Sequence, residues 1–177
     1  MCGCFVALPG WTFVACIAPG LLGLGHAALK RLAPDLKSWG VALAVALAAS
    51  TLPVAAAGEP PWPPDGLLFA YLALFVAINT YALDLVDLDA DRAAGTRTLV
   101  VARGPDWVKR LFTGLAIVAS ILLIYASPLG PAPEMPLSLL GLAILLRAAG
   151  PHRDRDRWRL LLDGGLLSPL LLRLAFS

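Results

Sequence analysis

Six apolar stretches, at about residues 5–27, 38–57, 66–84, 108–127, 136–149 and 159–176, leave this chain few folds to choose from. Inside hydrocarbon every backbone N–H and C=O must find its partner within the chain, so an apolar run long enough to span becomes a helix. A bilayer core of about 30 Å takes about 20 helical residues, which makes the fifth stretch short and open to a re-entrant course or an extension into Arg147. With 59% hydrophobic residues, 15% charged residues and a mean hydropathy of +0.78, the chain is too apolar for an ordinary soluble domain. The expected fold is therefore all-α: a polytopic transmembrane helix bundle of about six spans, forming one membrane domain over residues 1–177.

Charge placement gives an independent count, because Lys and Arg collect in cytoplasmic loops. The connection after the first stretch holds Lys30, Arg31 and Lys37, and the one after the third holds Arg92, Arg97, Arg103, Lys109 and Arg110. Arg147, Arg153, Arg155, Arg157 and Arg159 surround the last, whereas residues 58–65 and 127–135 carry none. Only Arg173 of the fourteen basic residues falls on the opposite side. This alternation predicts a multi-pass protein with both termini outside and the 84–107 loop in the cytoplasm. The net charge of +2 is thus a topology signal, and no basic block interleaved with aromatics points to nucleic acid.

Other features carry less chemistry. Cys2, Cys4 and Cys16 lack a second ligand pair for zinc and read as small apolar side chains. Prolines crowd residues 60–64 and 128–136, at two expected outer turns, and Gly104-Pro105 precedes Asp106, a plausible helix cap. Gly20, Gly23, Gly25 and the Ala-rich 42–57 segment suit close helix approach. Trp39, Trp62, Trp107 and Trp158 fall near predicted span ends, as interfacial anchors do. The run HRDRDR at 152–157 reads as a solvated loop.

The chemical content sits at the end of the third stretch, in NTYALDLVDLDADRAAGTRTL from Asn79 to Leu99. At 100° per residue Asp84, Asp87 and Asp91 fall within about 60° of one another on a helix, while Asp89 points elsewhere. Clustered carboxylates at a membrane repel and raise one another's pKa unless a cation joins them. Oxygen-only ligands favour Mg²⁺, which normally takes one or two carboxylates plus substrate phosphate oxygens, so the stripe reads as a diphosphate dock. Gly95 permits a tight turn behind it, and Arg92 and Arg97 offer fork-like donors to phosphate. An acidic loop paired internally with those arginines is the plainer alternative.

The string D-x-x-D-x-x-x-D-R-x-x-G-x-R-T-L, Asp84 to Leu99, closely resembles the second aspartate-rich motif of the UbiA superfamily of intramembrane prenyltransferases. A weaker likeness is Lys30-Arg31 after the first stretch, although His26-Ala27 stand where the family often has Tyr-Pro. The family has about nine transmembrane helices, with acidic motifs after helices two and six. On that register the six stretches resemble helices four to nine, with the orientation that the charges predict.

The resemblance implies transfer of a polyprenyl group from a prenyl diphosphate to an unidentified acceptor with Mg²⁺. Asp84, Asp87 and Asp91 are then the catalytic and metal-binding residues, and Arg92, Arg97, Lys30, Arg31 and Asn79 the substrate-binding ones. The family's first motif, N-D-x-x-D-x-x-x-D, has no counterpart in these residues. This implies either the carboxyl-terminal part of a split enzyme, working with a separate amino-terminal half, or a truncated gene. Leu83 stands where some members acting on aromatic acceptors carry Lys, so an aromatic acceptor is not implied. A non-catalytic membrane protein keeping the fold for assembly or lipid-diphosphate binding is the alternative. CDP-alcohol phosphotransferases also carry spaced aspartates, but their motif needs Gly where Leu88 follows Asp87.

Overall fold

A computed structural model describes residues 15–17, 19–21, 24–25, 36–60, 66–126, 133–151 and 154–176, and among them every regular element is helical. Residues 15–17, 19–21, 24 and 25 are helical within the first apolar stretch. The helices that follow are α1 (Lys37–Ala56), α2 (Gly66–Val86), α3 (Leu88–Ala93), α4 (Leu99–Arg103), α5 (Pro105–Ala126), α6 (Glu134–Ala148), α7 (Arg155–Gly165) and α8 (Ser168–Phe176). Among the described residues α1, α2 and Pro105–Tyr125 of α5 are long and apolar enough to cross a membrane.

The last two apolar stretches differ from a simple span. Helix α6 has 15 residues, short of the roughly 20 a bilayer takes. The stretch at 159–176 is divided between α7 and α8, with Leu166-Leu167 in the turn where Leu167 N–H donates to the Gly164 carbonyl at 3.0 Å. The run read as a solvated loop contributes residues 155–157 to α7. Asp154 supplies its N-cap by accepting from the Arg157 N–H.

The chain forms two compact units, Met1–Val76 and Ala77–Ser177. In the first, α1 buries a face of small residues, among them Ser38, Ala42, Ala46 and Ser50, one turn apart. Such a face lets helix backbones approach closely where side-chain hydrophobicity gives no drive. Thr51 donates to the Leu47 carbonyl at 2.7 Å and so satisfies its hydroxyl inside the helix. At Gly20 and Gly25, by contrast, an added Cβ meets nothing within 4 Å among the described residues.

In the second unit α5 packs most extensively on α6, α6 meets α7 and α8, and α4 links α3 to α5. The Tyr81 and Phe112 rings, both fully buried, lie with centroids 4.4 Å apart and tie α2 to α5. Ser120 lies within hydrogen-bond distance of the Ala116 carbonyl in its own helix, 2.7 Å, and of the Pro136 carbonyl in α6, 3.2 Å. Ile117, Val118, Ile121, Leu122 and Ile124 remain exposed along α5, an arrangement that suits lipid and not water. The first turn of α5 begins at Pro105, whose missing N–H costs nothing at N1, so Asp106 lies in that turn and Gly104 takes the cap position.

Candidate functional site

The aspartate motif straddles the junction of α2 and α3. Asp84 is in the last turn of α2 and buried, 7% exposed. Asp87 is the one residue between the helices, with φ −89° and ψ 2°, yet the hydrogen-bond ladder runs through it: Asp87 N–H donates to Leu83 and Asp91 N–H donates to Asp87, each at 2.9 Å. The run is thus nearly continuous, and the three carboxylates keep the helical spacing that the sequence predicts. Asp91 is half-buried, while Asp89 is exposed and pairs with Arg92 at 3.7 Å on the surface. Behind the motif the chain turns at Gly95, φ 66°, and the Thr96 N–H closes back onto the Asp91 carbonyl at 2.8 Å.

What surrounds Asp87 was not legible in the motif. Arg155 donates Nε–H to its Oδ1, and Arg159 donates an Nη2–H to its Oδ2, each at 2.6 Å. Both arginines come from α7, spaced i and i+4 so that they share one face of that helix. Burial alone would raise the Asp87 pKa, but the two charge-assisted bonds outweigh it and hold the carboxyl below its ordinary value. The same contacts raise Arg159. The signal available in the sequence was the R-D-R-W-R spacing behind a capping Asp154. Its charge density favours a loop reading, because its tie to Asp87 is visible only in three dimensions.

The other candidates are dispersed. Arg97 is exposed on the loop before α4, where Thr98 caps that helix by accepting from the Val101 N–H. Asn79, 3% exposed, lies inside α2, and its Oδ1 has no hydrogen-bond partner among the described residues. Lys30, Arg31 and His26 lie outside the described residues. An apolar cavity of about 510 Å³ lies between α6 and α8, lined by Leu137, Gly141, Leu142, Leu171 and Leu172 among others, and no motif residue reaches it.

In kind, three carboxylates suit a hard divalent cation. In arrangement they do not assemble its site: among the described residues no three His, Cys, Asp or Glu side chains gather as ligands, and Asp87 gives one oxygen to each guanidinium. As folded, Asp87 is the centre of an ion-pair cluster with Arg155 and Arg159.

An all-helical membrane protein whose aspartates close a long apolar helix, with a glycine turn and Arg-Thr-Leu behind them, defines a narrow class. The model of the UbiA prenyltransferase family matches residues 1–164, and the chain belongs to that family. No curated protein matches it. No solved structure does either.

Proposed function

We propose that the chain is a UbiA-type prenyltransferase, or the carboxyl-terminal part of one, that transfers a polyprenyl group from a prenyl diphosphate to an as yet unidentified acceptor. The observation that carries this is the Asp84–Leu99 string at the end of a 21-residue apolar helix, in a chain of the UbiA prenyltransferase family. The family register gives Asp84, Asp87 and Asp91 to Mg²⁺, and Arg92, Arg97, Lys30, Arg31 and Asn79 to the substrate. A second acidic set, from a separate amino-terminal half, completes the cation site that these residues do not assemble alone. The motif loop faces the cytoplasm, on the side where thirteen of the basic residues collect.

The test is prenyl transfer by the full chain in membranes, together with a candidate partner carrying N-D-x-x-D-x-x-x-D. Asp87→Ala and Asp91→Ala are expected to lower turnover by about 100-fold or more each, the scale set when a charge-stabilising group is removed. Unchanged turnover removes the assigned roles. The engagement of Asp87 by two arginines favours one second reading, a non-catalytic member that binds lipid diphosphate. Mg²⁺-dependent binding of a prenyl diphosphate with no transfer under any partnering is its expected signature.

A further inference from the structure

Resting on the reading of the motif as a diphosphate dock, the geometry points to Arg155 and Arg159 as a diphosphate-binding pair, held side by side by Asp87. Each guanidinium carries five N–H donors and spends one on the carboxylate. Their side chains remain 50% and 43% exposed, so the unspent donors reach solvent. The triad of two guanidiniums and one carboxylate carries a charge of +1, and both planar forks are anchored on the same carboxylate. That arrangement suits an anion with several oxygens, because fork-shaped donors recognise phosphate bidentately and lose less freedom when already ordered.

The neighbouring charge shows that this is a local construction and not the general basicity of α7. Arg157, on the same helix, pairs instead with its own N-cap Asp154 at 3.2 Å, and its side chain is 88% exposed. The helix therefore presents two arginines to the motif and sends the third away. Asp156 and Asp163, acting over distance, are the other acids that Arg159 feels.

The experiment is calorimetric titration of the full chain in detergent micelles with inorganic diphosphate, EDTA being present throughout. Arg155→Gln combined with Arg159→Gln is expected to weaken binding at least about tenfold, the scale of a lost hydrogen bond to a charged group. Arg157→Gln is expected to change it less than about twofold, in keeping with an exposed surface pair. Should the glutamine pair fail to fold, Arg155→Lys with Arg159→Lys keeps both charges but loses the forks, and a several-fold loss is still expected. Affinity equal to the parent in the lysine pair or in the glutamine pair overturns the proposal, as does an equal loss in Arg157→Gln. A second titration, with phosphatidylglycerol micelles, separates the source: binding tighter than to inorganic diphosphate makes the pair a headgroup site and overturns the diphosphate assignment. Because turnover is not read, failed prenyl transfer with Arg-dependent diphosphate binding sinks the enzyme reading alone. Prenyl transfer indifferent to both arginine pairs sinks this inference alone.

Discussion

Asp87 shows how one carboxylate is set by its neighbours. Its folded pKa lies below the ordinary value of about 3.9, so the stability it lends is complete above that value. As pH falls through the lower folded value the carboxyl protonates, the two guanidinium bonds weaken, and that stability is lost. Thermal melting of the full chain between pH 6 and pH 3 is expected to show this acid limb, and Asp87→Asn to flatten it while lowering the melting temperature at neutral pH. An unaltered acid limb in Asp87→Asn contradicts the assignment. Phe112 makes the opposite kind of contribution, through volume: it is fully buried against Tyr81, and Phe112→Ala is expected to cost about 3–5 kcal/mol in chemical denaturation.

The helices illustrate what local sequence specifies and what it leaves open. Hydropathy alone places α1, α2 and α5, because a 20-residue apolar run has one backbone solution in lipid. Gly95 was legible too, since a turn with positive φ directly after a helix selects glycine. Gly104 is stricter: φ 86° and ψ 152° lie where essentially only glycine goes. Gly104→Ala meets no atom within 4 Å of the new Cβ, so its expected cost of about 1–3 kcal/mol is purely backbone strain, and a smaller change in unfolding free energy would show that the junction of α4 and α5 yields. The division of residues 159–176 into α7 and α8 has a signal in Gly164-Gly165 and Ser168-Pro169, which flank the turn, but the apolar character of the whole run favours a single span over it. The helical state of residues 155–157 was not legible, because dense alternating charge imitates a loop until Asp154 caps it and Arg155 and Arg159 meet Asp87.

At the scale of the molecule, the sequence spelled out the motif and the spacing of its carboxylates but not their counter-ions, which come from 68 and 72 residues further along the chain. That separation has a consequence for the order of assembly. Contacts between distant positions close late, because the intervening chain must first give up its freedom. The motif is synthesised and inserted as bare carboxylates, and only when α5, α6 and the start of α7 have followed does the arginine pair arrive to compensate Asp87. During biosynthesis the site is thus a late checkpoint: a nascent chain stopped before residue 155 carries the full aspartate string with none of the charge that balances Asp87 in the folded protein.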